Sequence, residues 1–386
     1  MSIFRVNWRN ASSWLAQLCV LGAIAAAVYW VGSNTVVNLA KQSTASGFDF
    51  LNYRAGFGIS QTLVEYSEDS SYGRVLLVGL LNTLLVAACS ILLATLLGFL
   101  IGVGRLSQNW LIEKLAMIYI EVFRNVPLLL QIMFWYFGVL RNLPGPRQAM
   151  EFSEAFFLSN RGFAFPTPIF DQGSGVFLSA LGISLITFIV ARVYQRRVKL
   201  NTGIRVRIWR KCLGVALVLL IGAYVWVGIP VRWDVPAMAG FNYRGGGNLI
   251  PEFVALVVGL SFYTAAFIAE IVRAGIQSVA KGQTEAARAL AIPEGTTLRL
   301  IIIPQALRVI IPPLTSQYLN LTKNSSLAVA IAYPDIVSVF AGTTLNQVGQ
   351  AVEIIFITMM IYLSLSLITS LLMNLYNRRL AMSEAR

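Results

Sequence analysis

The sequence predicts an all-α, polytopic membrane protein of about eight spans, and three observations carry that reading. Of its 386 residues 57% are hydrophobic and only 12% are charged, well outside the composition of a soluble globular domain. The apolar residues are gathered into long blocks and are not spread at amphipathic-helix or strand spacing. Lys and Arg also divide unevenly between alternate connecting segments, as the positive-inside rule requires.

The blocks come first. A helix needs about 20 apolar residues to cross a hydrocarbon core of ~30 Å. Runs of that size lie at 13–33, 75–103, 112–140, 176–195, 212–230, 250–275, 306–342 and 352–376. The run 306–342 is too long and too interrupted for one plain helix. The run 13–33 follows a basic flank, as a signal peptide would, but it is too long for a signal peptide's apolar core and reads as an uncleaved span.

Charge sets the orientation. With the N-terminus in the cytoplasm, the inside segments hold Arg5 and Arg9; Arg105 and Lys114; the basic cluster from Arg192 to Lys211; Arg273, Lys281, Arg288, Arg299 and Arg308; and Arg378, Arg379 and Arg386. The outside loops keep Lys41, Arg54, Arg74, Arg141, Arg147, Arg161, Arg232 and Arg244. Both termini are therefore expected in the cytoplasm. The net charge of +13 reflects this topology, not nucleic-acid binding, and the 192–211 loop suits contact with anionic lipid. Cys19, Cys89 and Cys212 lie in apolar segments without metal spacing, and histidine is absent, so neither a disulfide nor a metal site is expected.

Four regions follow. Residues 1–74 form an N-terminal transmembrane helix and an outside loop, and 75–140 form the first two core helices. Residues 141–249 read as an inserted outside segment and helix pair. Residues 250–386 hold the remaining three core helices and a polar inside segment at 282–304.

That polar segment reads Gly282-Gln-Thr-Glu-Ala-Ala-Arg-Ala-Leu-Ala291, then Ile-Pro-Glu-Gly-Thr-Thr, then Leu298-Arg-Leu-Ile-Ile-Ile-Pro304. It spells a short helix, a Pro/Gly turn and a second short helix ending on the proline. Ala286, Ala287, Ala289 and Ala291 are small enough to let another body approach, and the first half lacks the bulky apolar face of a membrane-surface helix. It reads as a docking site for another protein.

The spacing Glu285-Ala286-Ala287, three residues, Ala291, nine residues, Ile301, one residue, Ile303-Pro304 resembles the EAA loop of ABC importer permeases. It departs from the family at Ala291, where the family has glycine, and at Ile303, where it has leucine. Asn82-Thr83-Leu84, the stretch Tyr119 to Gln131, Ala269 to Ile276, Pro304 to Arg308 and Lys323-Asn324-Ser325-Ser326-Leu327 resemble polar amino-acid permeases. The first span, Ala55-Gly56-Phe57 and the inserted pair resemble the larger subunit type of general L-amino-acid importers. The likeness covers most of the chain.

The resemblance implies a type I ABC importer permease: a five-helix core with an extra N-terminal span and an inserted helix pair, in the bacterial inner membrane. It implies L-amino-acid movement from periplasm to cytoplasm by alternating access. Glu285, Ala286, Ala287, Ala291, Ile301 and Pro304 would seat in a cleft of the ATPase. The implied partners are a second, homologous permease chain forming a heterodimer, two copies of an ABC ATPase and a periplasmic amino-acid-binding protein. ATP and Mg would be bound by the ATPase, with no cofactor in this chain. In agreement, the sequence has no Gly-x4-Gly-Lys-Ser/Thr loop for nucleotide phosphates and no nucleophile–base constellation in its loops.

Charged groups at membrane depth are functional candidates. Counted from Val309 at roughly 1.5 Å per residue, Lys323 lies about 21 Å deep. Asn324, Ser325 and Ser326 follow it; Pro312 and Pro313 precede it and Pro334 follows, so a broken helix is expected. Two readings stand. Either Lys323 and these groups face the translocation path and attract a substrate carboxylate, or Lys323 braces a kink or the dimer interface. Glu121 and Arg124 sit three residues apart, a spacing that favours a structural pair over substrate contact. Glu270 and Arg273 share that spacing and are expected to brace the docking segment. Asp335 is expected to cap the broken helix. Tyr263, Gln317 and Asn320 are further pathway candidates. The rival readings are an ion-coupled secondary transporter of small polar solutes, which would need more intramembrane carboxylates, and a non-transporting scaffold or receptor.

Overall fold

The computed structural model describes residues 8–41, 47–170, 174–202, 208–227 and 231–382. Arg5, Arg205, Arg207 and Arg386 of the charge pattern lie outside them. In chain order the first helices are α1 (Trp8–Lys41), α2 (Tyr72–Gly104), α3 (Trp110–Asn125), α4 (Leu128–Met133), α5 (Ser174–Thr202) and α6 (Ile208–Val227). Then come α7 (Pro251–Gln277), the short α8 (Lys281–Ala289) and α9 (Glu294–Thr297), α10 (Ile303–Asn324), α11 (Leu345–Val348) and α12 (Ala351–Met382). Among the described residues six helices are long and apolar enough to cross a membrane, and α3 with α4 makes a seventh, bent span. The eighth expected span, 212–230, is α6, whose apolar stretch of Cys212–Gly222 is shorter than the others.

The run 112–140 is not one straight helix. It bends by 105° between Asn125 and Leu128. Pro127 disfavours helical geometry at Val126, whose backbone is extended (φ −91°, ψ 128°). Carbonyls freed by the bend still need partners in a membrane. Gln131 supplies them, its Nε2 donating to Phe123 O and Val126 O at 2.9 Å each.

Contacts divide the chain into two compact units, Met1–Met133 with Leu256–Arg386, and Phe134–Ala255. The first unit has two buried apolar clusters. One gathers Phe50, Tyr72, Val75, Ile336, Phe340 and Ile354, and the other Ala87, Ala94, Ile268, Val272, Ile310 and Leu314. Small residues let α2 and α7 approach closely, as membrane helices do. A Cβ on Gly102 would stand 2.7 Å from Ala269 O and 2.8 Å from Val272 Cβ. By contrast, the apolar window of α1 buries nothing against the rest of the chain.

The second unit carries strands that the sequence reading did not anticipate: β1 (Met150–Phe152), β2 (Phe156–Ser159), β3 (Gly162–Phe165), β4 (Thr167–Phe170), β5 (Val231–Asp234), β6 (Ala237–Ala239), β7 (Asn242–Arg244) and β8 (Gly247–Leu249). They pair antiparallel, in the order β1-β2-β3-β8, with β4-β5 and β6-β7 as separate ribbons. Phe163 stands opposite Leu249, and Ile169 opposite Arg232. Strands of three or four residues are too short for alternation to declare itself.

This pairing constrains topology. Residues 163–170 and 232–249 share ladders, so they lie on one side of the membrane, and α5 and α6 between them make an even number of crossings. Leu106 and Ser107 after α2 line one cavity with Leu298 and Ile303 before and within α10, so these too share a side. Between Ser107 and Leu298 the chain passes the α3–α4 pair, then α5 and α6, then the single crossing of α7. The count is even only if the bent pair crosses, a parity that favours a broken span over a re-entrant loop.

Candidate functional site

Three places concentrate polar groups: the break after α10, a pocket between α7 and α10, and the turn between α8 and α9.

α10 runs unbroken through Pro312 and Pro313 and then tightens into a 3-10 segment, Ser325–Ile331. The break itself comes later, at Ala332, which is left-handed (φ 56°), and at Pro334. Two residues of α2 hold it. Asn82 Nδ2 donates to Pro334 O and to Gln61 O at 2.9 Å each. Thr83 Oγ1 accepts from Ile336 N at 3.1 Å while donating to Gly79 O at 2.9 Å. Gly79 permits this approach, since a Cβ there would lie 2.9 Å from Ile336 Cα and 2.8 Å from Val339 Cγ2. Asp335 caps the far side as expected, its Oδ1 accepting from Ser338 N at 2.8 Å. The N-terminus beyond the break is thus occupied by the chain's own buried carboxylate and is not free for a substrate anion. Asn82 and Thr83 were visible as a motif, but their partners lie some 250 residues away, beyond the reach of local pattern.

The structure separates the candidates around Lys323. A small polar pocket of about 250 Å³ brings together Tyr263, Thr264, Phe267, Gln317, Asn320 and Asn324. Lys323 and Ser326 instead line a different cavity of about 460 Å³, with Tyr362 and Ser366 of α12. The cause is helical phase: 317, 320 and 324 share one face of α10, and 323 lies on another. Ser325 is buried and donates to Thr322 O at 2.8 Å, and Ser326 donates to Lys323 O at 2.8 Å. Both hydroxyls thus bond back to the helix end. Glu121 and Arg124 do not form the expected pair among the described residues. Arg124 instead sits 5.2 Å over the ring of Phe267, a wall of the polar pocket. Thr264 and Phe267 were missed, although both lie on the α7 face that carries Tyr263. The Glu270–Arg273 pair does form, and Arg273 also donates to Gln277 Oε1 at 2.6 Å near the end of α7.

At the docking segment α8 ends in a Schellman turn. Ile292 N donates to Ala287 O at 3.0 Å and Ala291 N to Arg288 O at 2.9 Å, with Ala291 left-handed at φ 50°. At Ala291, where the sequence departs from the family's glycine, glycine would relieve backbone strain. Pro304 does not end a second short helix. α9 leads through the π-helical Leu298–Ile302 into α10 without a break, and Pro304 lies inside that continuous helical run, just after the π segment. Glu285, Ala286, Ala291 and Pro304 are exposed, Ile301 is half-buried and Ala287 is buried. Arg288 and Glu294 bridge the turn at 3.1 Å.

Residues 212–382, from α6 to the end of α12, match the family described as binding-protein-dependent transport system inner membrane component. Over 376 residues the chain is 55% identical to a putative amino-acid ABC transporter permease protein, YhdX, of Escherichia coli strain K12, covering 96% of this chain and 95% of that protein. The chain belongs to the ABC transporter permease family. The permease is also 53% identical over 374 residues to the general L-amino acid transport system permease protein AapQ of Rhizobium johnstonii, covering 95% of this chain and 92% of that one. To the glutamate/glutamine/aspartate/asparagine transport system permease protein BztB of Rhodobacter capsulatus it is 42% identical over 415 residues, covering 100% of this chain and 96% of that one. The family match takes in the docking segment and the α7–α10 pocket but not Glu121 or Arg124. The permease is a multi-pass inner-membrane transport component.

Proposed function

We propose that this permease carries L-amino acids from periplasm to cytoplasm by alternating access, as one half of a permease heterodimer. The observation that carries the reading is its identity of more than half, over nearly its whole length, with relatives named for amino-acid transport. Two copies of a separate ATPase bind ATP and Mg and dock on Glu285, Ala286, Ala287, Ala291, Ile301 and Pro304. A periplasmic binding protein delivers the cargo. The N- and C-termini are cytoplasmic, and residues 141–249 are an insertion between core helices 75–140 and 250–386.

Within this reading the cargo passes the α7–α10 pocket. Carboxamides of Gln317, Asn320 and Asn324, with the hydroxyls of Tyr263 and Thr264, suit a polar side chain. Arg124 beside Phe267 offers a cation for the carboxylate, with Glu121 one turn away on α3. Lys323, Ser325 and Ser326 support the break. Uptake of labelled polar amino acids by proteoliposomes holding the whole transporter tests this. Gln317→Leu with Asn324→Leu should lower uptake by an order of magnitude or more with assembly intact, since losing the pocket's carboxamides leaves the cargo's polar group unpaired. Undiminished uptake would remove the pocket from the path. Uptake driven by an ion gradient without ATP would replace the whole reading with a secondary transporter.

A further inference from the structure

A cavity of about 860 Å³ opens where α2 runs into α3, beside the segment that leads into α10. Its walls are almost wholly aliphatic: Leu100 and Val103 from α2, Ile112 and Leu115 from α3, and Leu298 and Ile303 from the docking side. Of its polar lining groups, the Tyr119 hydroxyl already donates to Phe262 O at 2.8 Å, and the Ser107 hydroxyl accepts from Asn109 N at 3.1 Å. An amino acid or a nucleotide would find no orienting partners here. The occupant must be a hydrocarbon.

Position and charge narrow it further. The wall residues are the last turns of the 33-residue span α2, the first turns of α3 and the approach to α10, so the cavity lies toward one end of the spans, where apolar side chains meet the membrane boundary. Trp110, exposed at the start of α3, is an interfacial residue type. Next to wall residues in sequence stand three cations: Arg105, Lys114 and Arg299. Arg105 is neutralised by Glu113 at 2.6 Å. Lys114 and Arg299 have no ion pair among the described residues and adjoin the wall residues Leu115 and Leu298 in sequence, which leaves two positive charges on the segments that form the slot.

We infer that this cavity seats an acyl chain of an anionic membrane phospholipid, with its headgroup held by Lys114 and Arg299. The chain touches α3 on one side and Leu298 and Ile303 on the other, so lipid is in direct contact with the docking segment. The site is separate from the polar α7–α10 pocket, and it stands whether or not that pocket carries cargo.

The assembled transporter in nanodiscs, made with phosphatidylglycerol or phosphatidylcholine bearing a photoactivatable diazirine on one acyl chain, tests this by peptide mapping. Adducts are expected on residues 100–119 and 298–303, several-fold above those on the exposed surface of α5 and stronger with phosphatidylglycerol. Leu115→Trp, at an exposed wall position that tolerates bulk, should suppress these adducts and leave those on α5 unchanged. Ala116→Trp should do so more completely. Lys114→Gln with Arg299→Gln should abolish the preference for phosphatidylglycerol and spare the labelling itself. Labelling no higher than on α5, or unaffected by Leu115→Trp, overturns the proposal. So does labelling found only when the permease is isolated from its partners, which would mean that a protein chain fills the slot. Equal labelling by the two lipids overturns the assignment of the headgroup.

Discussion

The two ends of α10 solve the same problem, how to turn a chain out of a helix, by opposite means. At its C-terminal end the turn is held from inside the fold. Asn82, Thr83 and Asp335 satisfy the backbone groups of Pro334, Ile336 and Ser338, the first two fully buried and the third half-buried, and Gly79 gives up its side chain to let the segments close. Before its N-terminal end the α8–α9 turn uses backbone bonds of its own, an exposed ion pair and a strained alanine, while Glu285, Leu290 and Leu300 face outward. An exposed ion pair adds little stability. The first turn is therefore a structural joint whose loss should unfold the permease; the second is held by local bonds and leaves its side chains outward, the surface proposed to dock the ATPase.

Substitutions at the two turns should separate sharply, and thermal unfolding in detergent reads the difference. Gly79→Leu should be the most damaging, costing about 3 kcal/mol or more, because the backbone at Ile336 has no room to yield. Asn82→Leu strips a donor from the buried Pro334 carbonyl and the half-buried Gln61 carbonyl and should cost about 2–3 kcal/mol. If either variant melts like the parent, the turn after α10 is not a structural joint. Ala291→Gly has the smallest effect and the opposite sign. Removing a left-handed alanine should stabilise by about 1 kcal/mol, and a loss of stability would show that the Ala291 side chain makes contacts that matter more than its backbone.

Much of this was legible before the fold. Span positions follow from length and hydropathy alone, and seven of the eight runs are found as long helices or as one bent pair. The long helix bounded by Pro334 was foreseeable because proline and a following aspartate mark a turn. The bend at Pro127 was equally marked by its proline but was hidden in an otherwise continuous apolar run. Depth along α10 could be counted, which singled out Lys323. Its face could not be assigned without α7 and α12, and so residues adjacent in sequence were grouped although they point to different cavities. The pairing of Asn82 with Pro334 and of β3 with β8 depends on contacts between distant segments, for which a single sequence offers no local signal.

The segment from Glu285 to Pro304 is proposed to transmit work from a separate ATPase. Glu285→Lys tests it most directly, because Glu285 is exposed and supports no internal contact among the described residues. Uptake, ATP hydrolysis and ATPase retention would be measured together in proteoliposomes, beside the melting temperature of the permease. The melting temperature should be unchanged, with uptake and cargo-stimulated hydrolysis reduced to background and the ATPase released. Full uptake with the ATPase still bound would contradict that role.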